Sequence, residues 1–564
     1  MAKKTKSSKK PKDLKKTNSF IMFAVKKRLP ILLGLVLSDM VSSACAVSIA
    51  LIARSIVNAA LDRDREIFLN NLFILGCVFI AEIALHMLST HLKVVLNGRL
   101  VIDYKTRIYS AIFEKDYTLI NTYHSGELLN RLSSDINVVS DGISNSVPQF
   151  ASFLTRLVTA IVIMIKIDPS FVGLLVGVGV VCALISVAFR KPLKSRHKAV
   201  QEALGRLRSF MQESIESMLV IKVFGIKDKI IGQAGELQKE HYKKRLKKNY
   251  ITIIASTGLG VFFVAGYASA LAWCALRLYN GEIRAGDLTA MLQLVNQIQT
   301  PLIMLAGIIP AYFNVFASAE RLLEIEDIKN EKVKNEGEIN PETLSESFKN
   351  IRFENVSFRY DRDIVLENAD FTVNRGDFIA ITGISGIGKS TLFKIMLGVL
   401  EPEEGAVYID ADRTYSSDIK TRKLFSYVPQ GNMLFSGTIR ENIAFIKTDA
   451  TDEQIMNAAR LACADSFIDE LPDGLDTVIG EKGHGLSEGQ VQRVAVARAL
   501  LCNSDIILLD EATSALDEET EKRLLENIKG IKGVTCIIIS HKAAAKEICN
   551  REIRIEDKKI IEKQ

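Results

Sequence analysis

The stretch Gly383-Ile384-Ser385-Gly386-Ile387-Gly388-Lys389-Ser390-Thr391 fits the pattern G-x-x-x-x-G-K-[ST] at every specified position. The apolar run Phe378–Thr382 before it predicts a strand, and Leu392–Leu400 after it predicts a helix. A glycine-rich turn between a strand and a helix can curl so that successive backbone N–H groups point at phosphate oxygens. The sequence therefore predicts a nucleotide-binding phosphate loop. Its expected contacts are Gly383, Ser385, Gly386, Gly388, Lys389, Ser390 and Thr391.

Side chains in and after this loop have the types that phosphate chemistry requires. Lys389 is expected to neutralise the β- and γ-phosphates, and Ser390 to bind Mg²⁺. The apolar run Ile506–Asp510 predicts another strand, and Asp510 at its end is placed to reach the Mg²⁺ ion. Glu511 follows and is expected to polarise the attacking water. Two adjacent acids after a strand also occur as helix caps, but the phosphate loop upstream favours the catalytic role.

The composition indicates more than one domain. At 564 residues the chain is too long for a single hydrophobic core. A mean hydropathy of +0.16 beside 24% charged residues indicates an apolar part and a polar part joined in series. The eight cysteines are scattered without a C-x-x-C pair, so neither a zinc site nor a disulfide framework is indicated.

The first three-fifths of the chain contain six long apolar runs with few charges. Each is long enough to cross a hydrocarbon layer ~30 Å thick as a helix, and six crossings return the chain to its starting side. Pro169 and the pair Asn280-Gly281 predict tight turns after the third and fifth runs. The predicted spans are about Pro30–Ala53, Leu72–Thr90, Val147–Ile167, Phe171–Phe189, Ile251–Leu276 and Leu288–Phe316.

Positive charge outside the spans predicts the orientation. Eight lysines lie within the first sixteen residues, and Arg190–Lys248 carries sixteen Lys and Arg. This excess places the N-terminus and the two long connections between spans on the cytoplasmic side. A basic tail can bind nucleic acid, contact anionic lipid or remain disordered. It has no interleaved aromatic residues, so we expect no nucleic-acid partner and interpret it as a cytoplasmic flank of the first span.

The two long connections keep a helical spacing of apolar residues, as at Leu128, Leu132 and Ile136. At ~1.5 Å per residue, roughly 15–20 extra residues would carry each helix ~25 Å beyond the bilayer. After a polar linker the pattern changes to short β-branched strands alternating with helices, as in an α/β domain with a parallel sheet. Its predicted strands are Ile351–Tyr360, Phe378–Thr382, Ile506–Asp510 and Thr535–Ser540.

These motifs together resemble the nucleotide-binding domain of the ATP-binding cassette (ABC) family. Leu486-Ser487-Glu488-Gly489-Gln490 is similar to the signature loop of that family, normally Leu-Ser-Gly-Gly-Gln, with Glu488 in place of glycine. The resemblance implies that Ser487, Gly489 and Gln490 contact ATP held in the phosphate loop of a second subunit. The chain is thus expected to bind ATP and Mg²⁺ and to act as a dimer.

Further positions match the family one by one, and their roles are those that the resemblance implies. Tyr360 resembles the aromatic residue that stacks on adenine, and Gln430 the residue that senses Mg²⁺ and water. His541 resembles the switch histidine, although Lys542 stands where the family usually has arginine. Ser514-Ala515-Leu516-Asp517 resembles the loop between the two sites of the dimer. The implied catalytic residues are Glu511, His541, Lys389 and Gln430, and the implied Mg²⁺ ligands are Ser390, Gln430 and Asp510.

The first 330 residues resemble the exporter type of ABC transmembrane domain. The segments Tyr123–Arg131, Ser318–Leu322 and Thr477–Gly483 carry this resemblance, which implies short docking helices near Asp116–Leu119 and Met218–Phe224. The expected fold is an all-α six-helix transmembrane domain followed by an α/β P-loop ABC ATPase domain. The expected divisions are a basic tail at 1–28, the transmembrane domain at 29–324, a linker at 325–347 and the ATPase domain at 348–564.

One membrane domain and one ATPase domain make half a transporter, which pairs with itself or with a second half-transporter. The leading hypothesis is ATP-driven export of an unidentified substrate across the cytoplasmic membrane, with ATP hydrolysis resetting an inward-to-outward switch. An ABC membrane ATPase that gates or signals, or the catalytic half of a heterodimer, is the alternative. A soluble ABC ATPase acting on nucleic acid is disfavoured by the six spans.

The residues leave the substrate open among lipids, drug-like molecules and peptides. Polar residues within the spans mark possible pathways, and interhelical pairing explains each of them equally well. No processing protease domain is expected before the first span, so a peptide substrate would be matured elsewhere. The polar candidates are Asp39, Glu82, His86 and Arg156.

Overall fold

The computed structural model describes residues 14–360, 363–431, 434–480, 483 and 485–563, with backbone alone at 172, 174–191, 194, 259, 300, 302–310 and 563. The described chain forms two compact units. The first contains the residues up to Ser110 together with Ser125–Glu326. The second contains Ala111–His124 and the residues from Asp327 onward.

The first unit is helical. Two π-helical turns, Arg131–Asp135 and Gly142–Ser146, join three of its helices into one continuous rod from Ser125 to Ile167. The helices as far as residue 326 are α1 (Leu14–Lys27), α2 (Leu29–Leu61), α3 (Arg65–Glu114), α4 (Tyr117–Ile120, in the second unit), α5 (Ser125–Asn130), α6 (Ile136–Asp141), α7 (Val147–Ile167), α8 (Pro169–Glu216), α9 (Met218–Val223), α10 (Lys227–Tyr279) and α11 (Ala285–Glu326).

In the described part of the chain, four helical segments are long and apolar enough to cross a membrane. They are Leu29–Leu61, Arg65–Glu114, Ser125–Ile167 and Lys227–Tyr279, which contain the first, second, third and fifth predicted spans. The fourth and sixth predicted spans fall on α8 and α11 and lie partly outside the residues whose side chains are described.

The predicted turn at Pro169 is held by the residue before it. Asp168 is extended (φ −151°, ψ 97°) and its carboxylate accepts a hydrogen bond from the Ser170 N–H at 3.0 Å, which caps α8. The other carboxylate oxygen accepts from Trp273 Nε1 at 3.2 Å and from Arg277. Asp168 therefore ties the α7–α8 turn to α10.

The start of α11 is capped by side chains of α2. The Gly286 N–H donates to Asn58 Oδ1 at 2.9 Å, and Arg54 forms an ion pair with Asp287. A Cβ at Gly286 would lie 2.3 Å from the Arg54 carbonyl oxygen, so glycine permits this close approach. The contact fixes α2 against α11 through polar groups rather than through apolar packing alone.

A buried polar cluster joins the α5–α7 rod to α11. Arg131 and Asp135 are 5% and 2% exposed, and Arg321 Nε donates to Asp135 Oδ2 at 2.8 Å. Arg131 donates to Glu127 Oε1 at 2.7 Å and to the Arg321 carbonyl oxygen. Glu127, Arg131 and Arg321 come from two of the segments that carry the exporter resemblance, which explains why both segments are charged near apolar runs.

The second unit contains a six-stranded sheet with the order β12-β11-β3-β10-β9-β6, parallel except for β12. A separate antiparallel sheet has the order β2-β1-β4-β5. The strands are β1 (Asn350–Tyr360), β2 (Asp363–Asn374), β3 (Phe378–Gly383), β4 (Glu404–Asp410), β5 (Thr414–Ser416), β6 (Phe425–Val428), β7 (Gly437–Thr438), β8 (Val478–Ile479), β9 (Ile506–Asp510), β10 (Thr535–Ile539), β11 (Arg551–Glu556) and β12 (Lys559–Lys563).

Eight further helices surround these sheets. Strands β9 and β10 are fully buried, in agreement with their continuous apolar sequence. The helices are α12 (Pro341–Ser347), α13 (Lys389–Met396), α14 (Ile439–Ile443), α15 (Asp452–Leu461), α16 (Asp465–Glu470), α17 (Glu488–Leu501), α18 (Glu518–Lys529) and α19 (Ala543–Ile548), counted among the described residues.

Three elements differ from the sequence predictions. The helix after the phosphate loop ends at Met396 rather than Leu400, because Gly398 takes a left-handed conformation (φ 63°) that stops it. Part of the predicted basic tail is the helix α1, whose Phe20 and Ala24 are buried and whose Ile21 carbonyl accepts from the Tyr104 hydroxyl at 2.8 Å. Part of the predicted linker is the helix α12.

Candidate functional site

The phosphate loop lies between β3 and α13, as the sequence predicted. Gly386 and Gly388 have positive φ angles of 82° and 112°. A Cβ at Gly388 would approach Val365 Cγ1 to 2.1 Å, so both conformation and space require glycine there. Ser385 is exposed, whereas Thr391 is buried in the first turn of α13. The exposed part of the loop precedes a helix N-terminus, the arrangement that binds phosphate.

Lys389 folds back over the loop. Its ammonium donates to the Gly383 and Ile384 carbonyl oxygens at 2.9 and 3.2 Å, and it lies 3.0 Å from His541 Nε2. Burial lowers the pKa of Lys389, although nearby acidic groups oppose the shift. Carbonyl oxygens compensate an ammonium less well than an anion does, so the Lys389 ammonium would gain from an anionic partner.

Asp510 is the buried carboxylate of the site. It is 1% exposed, and its Oδ1 accepts a hydrogen bond from Ser390 Oγ at 2.9 Å. Burial raises the pKa of Asp510, and the neighbouring Glu511 raises it further, while the hydrogen bonds from Ser390 and Tyr427 oppose the shift. A nearby cation would relieve this electrostatic cost.

The residues around Asp510 fit Mg²⁺. Ser390 Oγ and Asp510 Oδ1 are hard oxygen donors that already lie within hydrogen-bonding distance of each other. The described residues contain no cluster of three or more His, Cys, Asp or Glu side chains placed to hold a metal ion. A metal bound here would complete its coordination with nucleotide phosphates and water, which is how Mg²⁺ usually binds.

Glu511 and Gln430 are brought together from the segments that follow two neighbouring strands, β9 and β6. Gln430 Nε2 donates to Glu511 Oε2 at 2.5 Å. Glu511 has a left-handed backbone (φ 50°), which is unusual outside glycine, and its N–H donates to the Ile539 carbonyl oxygen at 3.1 Å. This strained conformation, at the end of β9, is of the kind that occurs at functional sites.

The signature segment is organised separately. Ser487 caps α17, with a Gln490 N–H to Ser487 Oγ distance of 3.3 Å and a Ser487 N–H to Gln490 Oε1 distance of 2.8 Å. Among the described residues, no hydrogen bond or ion pair joins Ser487, Gly489 or Gln490 to the phosphate loop. The structure therefore brings together Lys389, Ser390, Gln430, Asp510, Glu511 and His541, but not the signature residues.

Two further predicted segments are partly described. Tyr360 is 41% exposed at the end of β1, with its ring 4.9 Å from that of Phe358 in an edge-to-face contact. In Thr477–Gly483, Val478 and Ile479 form β8, which pairs with β7. Residues 481 and 482 of that segment lie outside the described residues.

The sequence analysis missed three residues that hold the site. Tyr427 donates to Asp510 Oδ2 at 3.0 Å. Gln492 holds the loop at 514–517, because its Nε2 donates to Ser514 Oγ at 3.0 Å and its Oε1 accepts from the Ala515 N–H at 3.0 Å. Glu521, which is fully buried, accepts from Thr513 Oγ1 at 2.7 Å. A polar residue inside an apolar strand or helix is a weak signal that could have indicated Tyr427 and Gln492, whereas Glu521 lies among other charged residues of α18 and gave no such signal.

Lys542 has a structural role that its sequence position did not show. Its ammonium donates to the Thr513 and Leu516 carbonyl oxygens at 2.9 and 2.5 Å and lies 3.5 Å from Glu521 Oε2. Lysine thus replaces the usual arginine while keeping a cation against a buried carboxylate.

Changing Lys542 to alanine is expected to destabilise the second unit by about 3 kcal/mol, because Glu521 would be left buried without its cation. Thermal unfolding of the purified protein measures this effect. Lys546→Ala is the matched control, because its pairing with Glu552 is more exposed at 3.8 Å and should contribute less than ~1 kcal/mol. Equal destabilisation by the two changes would contradict this role.

Polar residues in the predicted spans have different environments. Asp39 accepts a hydrogen bond from Ser89 of α3, so it pairs two helices. Glu82 is half-buried and His86 is exposed. Arg156 in α7 is half-buried, and its Nε has no hydrogen-bond partner. Among these four, Arg156 is the residue whose unmet hydrogen-bonding capacity favours a role beyond packing.

A short helix lies at each predicted docking position. Helix α4 belongs to the second unit, where Lys394 Nζ lies 5.9 Å from the centre of the Tyr117 ring and the Asp116 N–H donates to the Lys329 carbonyl oxygen at 3.0 Å. Helix α9 belongs to the first unit and exposes apolar side chains, including Leu219 at 75% and Val223 at 71%.

A helical unit with membrane-spanning segments, followed by an α/β unit with a phosphate loop and adjacent acidic residues, defines a membrane-bound ATPase. Two family models match the chain: the ABC transporter transmembrane region matches residues 31–302, and the ABC transporter model matches residues 366–514. The chain belongs to the ABC transporter family and is an exporter-type half-transporter that couples ATP hydrolysis to transmembrane transport.

Relatives and a solved structure agree with this assignment. The chain is 30% identical over 457 residues to the ABC transporter ATP-binding protein MG015 of Mycoplasma genitalium, covering 79% of this chain and 77% of that protein. It is 27% identical over 469 residues to an ATP-dependent lipid A-core flippase of Syntrophus aciditrophicus, covering 83% and 78%. A bacterial Atm1-family ABC exporter with ATP bound has the same fold, with a TM-score of 0.80, 22% identity, and coverage of 95% and 94%.

Proposed function

We propose that two such chains, or this chain and a second half-transporter, form an ATP-driven exporter of the cytoplasmic membrane. The observation that carries the proposal is the joint placement of Lys389, His541, Ser390, Asp510, Gln430 and Glu511 around one phosphate loop. The signature residues Ser487, Gly489 and Gln490 are available for the loop of the other subunit. The proposed divisions are 1–28, 29–324, 325–347 and 348–564.

The contacts support the following roles for these residues in ATP hydrolysis. Lys389 leaves the carbonyl oxygens, donates hydrogen bonds to the β- and γ-phosphates instead, and neutralises part of their negative charge. Glu511 orients and polarises the attacking water, and Gln430 holds the Glu511 carboxylate by its amide. His541, 3.0 Å from Lys389, reaches the γ-phosphate. Bound Mg²⁺, held by Ser390, Asp510 and Gln430, would neutralise charge developing on the phosphates.

Exposed apolar side chains on α9 support a dimer. Leu219, Val220, Val223 and Phe224 are each more than half exposed on a short helix outside the predicted spans. An apolar cluster of this kind on a polar part of a protein usually marks an interface. We propose that α9 docks on the ATPase unit of the other subunit, and that Tyr360 stacks on the adenine of ATP.

The Glu488 carboxylate does not prevent this arrangement. Glu488 is exposed at the first position of α17, beside the capping residue Ser487, where the helix dipole favours a negative charge. Lys389, Glu511, the signature and His541 are all present in this chain, so a homodimer would have two competent sites. The heterodimeric alternative would use this chain as the competent half.

The proposed orientation places the N-terminus, the long helix ends and the ATPase unit in the cytoplasm. The sixteen Lys and Arg of Arg190–Lys248 support it. The substrate class to test first is an anionic amphiphile such as a phospholipid, because Arg156 has an unpartnered donor in α7. The relative named as a lipid A-core flippase gives this choice additional support.

Reconstituted protein tests the proposal. With ATP, proteoliposomes are expected to transport a labelled lipid, drug-like molecule or peptide. The class of compound that is transported should also be the class that stimulates ATP turnover. Glu511→Gln protein is the control, since it should bind ATP without moving substrate. Substrate-independent turnover with no transport of any of the three classes would instead support the gating or signalling alternative.

A further inference from the structure

The carboxylate of Asp510 is held by hydrogen bonds from both sides. Ser390 Oγ donates to Oδ1 at 2.9 Å, and the Tyr427 hydroxyl donates to Oδ2 at 3.0 Å. Because Asp510 is 1% exposed, each of its oxygens depends on these protein donors rather than on bulk water. The role of Ser390 follows from the phosphate loop, but none of the motifs accounts for Tyr427.

Tyr427 is fixed by the strand that carries it and by its neighbours. It lies in β6, parallel to β9, with Tyr427 opposite Leu508 and Val428 opposite Leu509. Its ring meets that of Phe393 of α13 edge-on, with centroids 6.2 Å apart. A phenol ordinarily keeps its proton below about pH 10, so the Tyr427 hydroxyl is a donor at physiological pH.

We propose that Tyr427 is a positioning residue that holds Asp510 in the orientation required for binding Mg²⁺ in the nucleotide complex. The terminal torsion of an aspartate is broad, so a carboxylate held at one oxygen alone can rotate. The Tyr427 hydrogen bond on Oδ2 directs Oδ1 to Ser390, and the two oxygen donors then face one cation. This inference deepens the proposed function and rests on its assignment of Ser390 and Asp510 to the metal.

Helix α4 approaches the same end of α13. Lys394 Nζ lies 5.9 Å from the centre of the Tyr117 ring, and Phe393, the preceding residue of α13, meets the Tyr427 ring edge-on.

Metal titration of the full-length protein tests the inference. Glu511→Gln protein with bound ATP is titrated with Mn²⁺, and free Mn²⁺ is followed by electron paramagnetic resonance. Adding Tyr427→Phe is expected to weaken Mn²⁺ binding about tenfold, the size of one hydrogen bond to a charged group. Binding of ATP in the presence of EDTA should change less than ~2-fold, because Lys389 and the loop are untouched. Phenylalanine keeps the ring contact with Phe393, so the variant should fold, with a lowered melting temperature because Asp510 Oδ2 loses its donor.

Tyr415→Phe is the matched control, because it also removes a hydrogen bond from a buried tyrosine to an aspartate, from Tyr415 of β5 to the exposed Asp412 Oδ1 at 2.8 Å. It should leave Mn²⁺ binding unchanged. If Asp510→Asn abolishes Mn²⁺ binding while Tyr427→Phe leaves it intact, or if Tyr427→Phe weakens ATP and Mn²⁺ equally, the inference is wrong. If Asp510→Asn itself has no effect, the metal assignment in the proposed function fails instead.

Discussion

Changing Glu511 to glutamine is expected to lower ATP turnover by about 10²–10⁴-fold, the usual contribution of a positioned general base. Glutamine has nearly the same shape but cannot polarise the attacking water. Its side chain can still meet Gln430, so the local structure should be retained. ATP binding should persist, and the protein should accumulate as an ATP-bound dimer. Phosphate release and nucleotide retention after gel filtration measure the two effects.

A neighbouring acid provides the control for this change. Glu519 is exposed in the first turn of α18, and Glu519→Gln removes a charge from the same part of the chain. Its turnover should match that of the unmodified protein. Unchanged turnover in Glu511→Gln would refute the catalytic role of Glu511, whatever the control shows.

Changing Lys389 to alanine is expected to weaken ATP binding by about 100-fold, or roughly 2.8 kcal/mol. The estimate follows from charge-assisted hydrogen bonds of about 1.5–3 kcal/mol to the phosphates. Because the buried ammonium has a pKa below its usual range, it gains from an anionic partner more than an exposed lysine would. Equilibrium binding of a fluorescent ATP analogue measures the loss.

Lys532→Ala controls for the removal of a positive charge, since Lys532 is exposed in the loop between α18 and β10. It should bind ATP with unchanged affinity. A Lys389→Ala protein that bound ATP as tightly as the Lys532 variant would show that the phosphate loop is not the nucleotide site.

The sequence could predict those parts of the fold that depend on local pattern. The apolar runs of β9 and β10 identify buried strands because a parallel sheet covered on both faces excludes polar side chains. The phosphate loop is recognisable because its tight backbone turn requires glycine at particular positions. The short helices α1 and α12 were missed, since a charged tail and a polar linker give little apolar periodicity.

The site could be predicted as a set of residues but not as a set of contacts. Lys389 and His541 are 152 positions apart, and Ser390 and Asp510 are 120 apart, so only the folded sheet brings them together. Tyr427 and Glu521 were missed for a related reason. A single tyrosine in an apolar strand has the same appearance in sequence whether it packs or donates to a catalytic carboxylate.

Mixed dimers test the central claim, that the phosphate loop of one subunit is completed by the signature of the other. The two defects are Lys389→Ala in the loop and Ser487→Asp in the signature, where aspartate keeps the helix cap but repels phosphate. Two differently tagged chains are purified as dimers of two kinds. In the first kind, each chain carries one of the two defects. In the second kind, one chain carries both defects and its partner carries none.

The measurement is the number of ATP molecules trapped per dimer. If each site combines the loop of one chain with the signature of the other, separate defects leave one site with an intact loop and an intact signature. About one ATP per dimer should then be trapped. With both defects on one chain, neither site is complete and none should be trapped. The opposite result, with trapping only when both defects share a chain, would show that each chain completes its own site.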